Sequence, residues 1–190
     1  PYIQYVIGIF MFLGGVSYIV YYFLVRREFR KIAAFEELWL YIFLVTGATI
    51  LVTLILYTGT DRDLTLSFRH GFFQVISMMT GTGFATTDYM VWPQGGWLIM
   101  LLLMPAGGCT GSTTGGIKMA RHLINLRNLK VVFQRFLHHH AVIPIKINNR
   151  IVPDNLNITI LSFTLLFIAL TLAGMIAIHF TGVPLLEAVG

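Results

Sequence analysis

Residues 78–89 read MMTGTGFATTDY: two glycines, Gly81 and Gly83, and five hydroxyl-bearing side chains follow an apolar run, with a single acid, Asp88. Glycine lets a backbone aim its amides and carbonyls where a Cβ forbids it. Such a turn can cradle a phosphate with N–H groups, hold a cation with C=O groups, or merely reverse the chain. A second stretch, Gly107, Gly108, Cys109, Thr110, Gly111, Ser112, Thr113, Thr114, Gly115 and Gly116, interrupts another apolar run and is followed by Lys118. Five glycines in a helix cost about 1 kcal/mol each. That cost argues for a purpose: mobility, room, or hydroxyls and freed carbonyls facing a water-filled path. Close helix packing through small residues is the alternative.

The elements that must position these stretches are membrane helices. The chain is 56% hydrophobic and 11% charged over 190 residues, with a mean hydropathy of +0.78, whereas about a quarter of a soluble domain is charged. Residues 2–25 carry no charge and read as one spanning helix, and 38–57 give a second. Residues 64–79 are too polar at their start to span; they read as a re-entrant pore helix, with 81–88 as the return limb and Trp92 and Trp97 as interfacial aromatics. An apolar helix resumes at Trp97, breaks at 107–116 and continues to 136 with a basic extension. A polar connector leads to a further uncharged run, 156–180, and residues 181–188 read as the opening of a second re-entrant segment.

The fold class expected is therefore all-α integral membrane, built from repeats of helix, re-entrant pore helix and helix, as in potassium channels, with a broken second membrane helix. Residues 1–31 are read as the last helix of a preceding repeat and its basic loop, 32–150 as a complete repeat, and 151–190 as the start of the next. Such repeats must associate to cover their re-entrant segments. The first residue, Pro1, and an ending without a closing helix read as a piece of a longer chain. Eleven of the 13 basic residues fall in 26–31 and 118–150, which an alternating topology puts on one side; Arg62 and Arg69 fall on the other. The positive-inside rule makes the first side cytoplasmic and turns Asp61, Asp63, Asp88, Glu187 and the glycine turn outward. The basic excess thus belongs to membrane orientation, not to nucleic acid.

Within that frame Gly81, Thr82, Gly83 and Phe84 align with the Thr-Val-Gly-Tyr of the Thr-Val-Gly-Tyr-Gly loop whose carbonyls replace the hydration shell of potassium, with Gly83 on the first filter glycine, and Thr80 to Phe84 are read as the filter. The pore helix before it would aim its negative end at a cation. The loop at 107–116 invites a nucleotide reading through the spacing of Gly111 and Gly116. However, Ile117 intervenes before Lys118, Met119 replaces the metal-binding hydroxyl, and a membrane helix, not a strand, precedes it. Lys118 either repels a cation at the cytoplasmic end of the pore or snorkels to the interface. His138, His139 and His140 are consecutive, without an acid or cysteine nearby, and read as a solvated loop, not as a metal site. The single Cys109 offers no disulfide or CxxC pair. The basic helix from 118 to 135, with Leu123, Leu126, Val131, Val132 and Phe136 as its apolar stripe, suits anionic lipid or a cytoplasmic partner. No nucleophile, base and orienting acid combine, so the chain is not read as an enzyme and no cofactor is expected.

FFQVISMMTGTGFATTDY, GGCTGSTTGGIKMARH and the leading FMFLGG resemble a TrkH-type potassium uptake protein, of the Trk/Ktr/HKT superfamily of potassium transporters. The resemblance covers the end of a second repeat, all of a third and the start of a fourth. It implies a four-repeat, single-chain pore in the plasma or inner membrane, crossed several times, with potassium as substrate. It also implies homodimers and a cytoplasmic nucleotide-binding regulatory subunit of the TrkA kind. Residues 80–84 would then lend one repeat's share of the filter, and 107–116 would be an intramembrane gate beneath it. A coupled secondary transporter that binds its solute at the discontinuous helix is the competing reading.

Overall fold

The computed structural model describes residues 2–60, 63–137, 144–148 and 150–183. Asp61 and Arg62, the histidine run 138–140 and the expected re-entrant segment after 183 lie outside the described residues. The chain forms two compact units, 1–120 and 121–190.

The first unit holds α1 (Tyr2–Gly14), α2 (Tyr18–Val25), α3 (Phe29–Ala33), α4 (Glu36–Gly59), α5 (Leu64–Thr80) and α6 (Gln94–Leu103). Its outstanding difference from expectation is at the start. Residues 2–25 are not one helix: α1 and α2 meet at 95°. Composition measures how far an apolar run can reach, but not whether it stays straight. Here Gly14 and Gly15 let the chain turn, and every carbonyl freed at the end of α1 finds a donor, the condition for breaking a helix away from water. Gly15 N–H donates to Met11 O (3.2 Å) and Phe12 O (3.1 Å), and Val16 N–H to Leu13 O (3.0 Å). The Tyr41 hydroxyl donates to Phe12 O at 3.1 Å and the Tyr21 hydroxyl to Leu13 O at 2.5 Å. The carbonyls of Gly14 and Gly15 are taken by a distant segment described below.

Helix α4 is apolar around its whole circumference and opens on Glu36 and Glu37, where the positive end of the helix dipole favours acids. It buries one face, Leu38, Tyr41, Val45, Ala48, Val52 and Leu56, at spacings of three and four. The opposite face, with Phe43 and Ile50, stays uncovered. Helix α5 lies between α1, α4 and α6 and is enclosed nearly all round: Ser67, Gln74, Val75, Ile76, Ser77 and Met79 are fully buried. Gly71 lets it approach α4, since a Cβ there would stand 3.1 Å from Thr53 Oγ1. Trp92, expected at the interface, belongs to this interior instead, and so does His70. Trp92 is 5% exposed and His70 8%, the latter with Nδ1 3.4 Å from Thr86 Oγ1, because the chain after α5 folds back over it.

The second unit continues from the first turn of α7 (Met119–Leu137) through a small antiparallel hairpin, β1 (Lys146–Ile147) and β2 (Arg150–Ile151), to α8 (Asp154–Phe180). The hairpin occupies what sequence reads as a plain connector; Asn148 at φ 48° makes its turn. The packed side of α7 also differs from the expected stripe. Ile124 and Val131 are buried, whereas Leu126, Val132 and Phe136 are exposed. Polar contacts with α8 select that face: Asn128 and Asn157 exchange side-chain amide hydrogen bonds of 2.6 and 3.0 Å, and the Arg121 guanidinium lies 3.9 Å from the centre of the Phe163 ring. Among the described residues α4 and α8 are long and apolar enough to cross a membrane, and the bent pair α1 and α2 makes a third if counted as one span.

Candidate functional site

The glycine turn begins where α5 ends. Gly81 adopts φ 67°, ψ 23° as the left-handed cap, with Gly81 N–H donating to Met78 O (3.2 Å) and Thr82 N–H to Ser77 O (3.0 Å), the pattern by which a glycine closes a helix. Gly83 is left-handed too, at φ 77°. Two hydroxyls fix the limb. Thr80 Oγ1 donates to Ile76 O at 2.7 Å and lies 2.7 Å from Thr82 Oγ1, and Ser77 Oγ donates to Phe84 O at 2.6 Å. The Phe84 carbonyl is thus held toward the helix, while the main chain from Gly81 to Phe84 is exposed on its other side.

The second glycine stretch is a closed loop, not an unwound helix. Ile117 N–H donates to Pro105 O at 2.8 Å and Met119 N–H to Gly108 O at 2.9 Å, so the chain leaves the helix, circles and returns beside its exit. Gly107, Gly111 and Gly116 have φ of 72°, 75° and 76°. At Gly107 a Cβ would also stand 2.5 Å from Gly115 O. Three of the loop's four hydroxyls are engaged within the protein: Thr114 Oγ1 accepts from Gly108 N–H at 2.9 Å and pairs with Ser112 Oγ at 2.8 Å, and Thr113 Oγ1 donates to Gly14 O at 3.1 Å.

This loop sits in the break of the first helix pair. Cys109 N–H donates to Gly15 O at 2.9 Å, Thr113 N–H to Gly14 O at 3.3 Å, and Tyr18 N–H to Gly111 O at 3.0 Å. Gly108 abuts the same break, so that a Cβ there would lie 2.6 Å from Gly15 O. The Lys118 side chain turns back onto the loop: its Nζ donates to Ser112 O at 3.2 Å and Thr114 O at 2.5 Å, drawing the loop's carbonyls together. Glu37, which sequence reading passes over as the flank of an apolar run, is 6% exposed and accepts the Thr110 N–H on Oε2 at 2.9 Å. The amides of Gly108, Cys109, Thr110, Ser112 and Thr113 therefore all donate within the protein, an arrangement that offers none of them to a phosphate.

Between turn and loop lies a cavity of about 450 Å³ lined by Thr80, Gly81, Thr82 and Phe84 on one side and Thr113 and Thr114 on the other. Its wall is one stripe of α1, Val6, Ile7, Phe10, Met11 and Gly14, a face that spans about 12 Å along the axis at 1.5 Å per residue. The two glycine stretches that sequence analysis singles out thus meet across one space, with Gly83 outside its lining. The sequence profile of the TrkH family, described as cation transport protein, matches residues 1–188. The chain belongs to the TrkH family. Among its relatives, the Trk system potassium uptake protein TrkG of Escherichia coli K12 is 29% identical over 187 residues, covering 98% of this chain and 39% of that protein. The Trk system potassium uptake protein TrkH of Salmonella typhimurium is 32% identical over 187 residues, covering 96% of this chain and 38% of that one. This TrkH-family chain spans about two fifths of the length of such relatives. Its fold matches the crystal structure of the potassium transporter TrkH from Vibrio parahaemolyticus with a TM-score of 0.83, at 22% identity, over 98% of this chain and 41% of that one. The all-α membrane class read from the sequence is the fold of that transporter, and the apolar helices α4 and α8 are membrane helices of a multi-pass protein.

Proposed function

We propose that this chain forms one complete pore repeat, residues 32–150, with the end of the repeat before it and the start of the one after, in a four-repeat protein that takes up potassium across the cell membrane. The observation that carries the proposal is the cavity shared by the glycine turn and the glycine loop. In this reading Thr80 to Gly83 supply carbonyls that replace part of the ion's hydration shell, and the exposed side of the turn faces the other repeats. Ser77 anchors the Phe84 carbonyl and so holds the limb in register. Among the described residues no acid or base lines the cavity, so discrimination rests on carbonyl dipoles and not on a charged ring. The loop 107–116, seated in the break between α1 and α2, closes the path below the turn, and its displacement opens it.

No cofactor takes part; potassium is the substrate. The Trk names of the relatives support the substrate, and the basic residues of α7 support the docking of a cytoplasmic nucleotide-binding regulatory subunit of the TrkA kind beside anionic lipid. A homodimer in the plasma or inner membrane completes the proposal. The test is tracer rubidium flux into liposomes that hold the full-length protein. A pore passes tracer down its electrochemical gradient without a second ion; flux that demands a sodium or proton gradient and saturates as exchange replaces this reading with a coupled carrier.

A further inference from the structure

We infer that Glu37 is a positioning residue that holds the glycine loop in its closed place; the inference rests on the reading of that loop as a gate. A carboxylate near the end of a membrane helix is costly unless it is paired, and Glu37 is 6% exposed. It does not cap its own helix. Its Oε2 instead accepts the amide of Thr110, 73 residues away, at 2.9 Å, and its main-chain carbonyl faces Cys109 Sγ at 3.9 Å. One residue of the outer helix thus grips two successive residues at the head of the loop.

The grip is double-sided. Lys118 holds the opposite limb through Ser112 O and Thr114 O. The loop is thus held from two sides, by Glu37 at its head and by Lys118 on its returning limb. Neither residue lines the cavity, so either can be changed without altering the surface met by an ion. A hydrogen bond to a charged acceptor is among the stronger ones, and a device that biases a loop between two positions needs an interaction of that kind.

The experiment compares Glu37→Ala, Glu37→Gln and Gly108→Ala with the native full-length protein in liposomes, measuring rubidium flux per inserted molecule and the ratio of potassium to sodium flux. Glu37→Ala is expected to raise flux about tenfold, the population shift that loss of one charge-assisted hydrogen bond produces, at an unchanged ion ratio. Glu37→Gln keeps an acceptor oxygen but no charge and should lie between. A merely structural role lowers the amount of inserted protein and never raises flux per molecule. Flux unchanged in both Glu37 variants, with Gly108→Ala elevated, overturns the role of Glu37 and leaves the gate standing. Flux unchanged in all three overturns the gate and this inference together. If Glu37→Ala fails to insert, Glu37→Gln decides by the same criterion.

Discussion

The amide of Cys109 donates to the carbonyl of Gly15 at 2.9 Å, so a loop in one broken helix is fastened to the break in another. Each break supplies what the other lacks: α1 ends with carbonyls that need donors, and the loop has amides that need acceptors. Neither interruption would be tolerable alone in an apolar surround.

The glycines of the loop are not equivalent. A Cβ at Gly108 would meet Gly15 O and Thr114 Oγ1, both at 2.6 Å, whereas at Gly115 it would meet nothing within 4 Å. Overpacking of this kind costs about 1–3 kcal/mol, enough to push the loop from its seat. Gly108→Ala should raise rubidium flux per molecule several-fold, and Gly115→Ala should leave it unchanged. Equal behaviour of the two would mean that contact with the α1 break does not control the path.

Lys118 clasps the loop that buries Cys109, which is fully enclosed. Lys118→Gln removes the charge from that clasp. In a protein whose other cysteines have been replaced, Cys109 should resist a membrane-permeant maleimide in the native form and react readily in Lys118→Gln. Identical labelling rates would show that the lysine does not hold the loop.

Ser77 holds the Phe84 carbonyl from the pore-helix side at 2.6 Å. Ser77→Ala strands that carbonyl at a cost of about 1–3 kcal/mol, and the limb should lose its register. The expected outcome is a lower ratio of potassium to sodium flux with normal protein in the membrane; an unchanged ratio would assign the hydroxyl to helix packing alone.

In the second unit the reciprocal amide bonds of Asn128 and Asn157 are the polar key between α7 and α8. Asn157→Ala should weaken their packing by about 1–3 kcal/mol, read as faster hydrogen exchange in both helices. Exchange that rises in neither would show that apolar contacts suffice.

Local composition carried much of this. The apolar runs gave α4 and α8 to within a few residues, and Gly81, with its hydroxyl neighbours, marked the end of α5 because only glycine takes a left-handed cap cheaply. The glycine cluster marked the loop. What escaped depends on partners far along the chain. Gly14 and Gly15 inside an uncharged run look like packing glycines until Thr113, 99 positions from Gly14, supplies the donor that makes a break affordable. Glu37 looks like the solvated start of a helix until Thr110 covers it. Trp92 and His70 have the amphipathic character of interfacial residues, and their burial follows from a return of the chain over α5 that no local pattern encodes. Lys118 lies at a helix start, where snorkelling is the ordinary outcome, and only the closed loop brings carbonyls within its reach.

The most direct test of the central claim is the ion ratio of Gly83→Ala. Gly83 holds φ 77° with open space around its Cβ position, so alanine there meets no steric clash and is strained only through its backbone, by about 1–2 kcal/mol. In liposomes holding the full-length protein, rubidium flux with sodium as competitor should show selectivity reduced about tenfold, with the protein inserted at native levels. Native selectivity in that variant would contradict the account and leave the turn at 80–84 as a simple reversal of the chain.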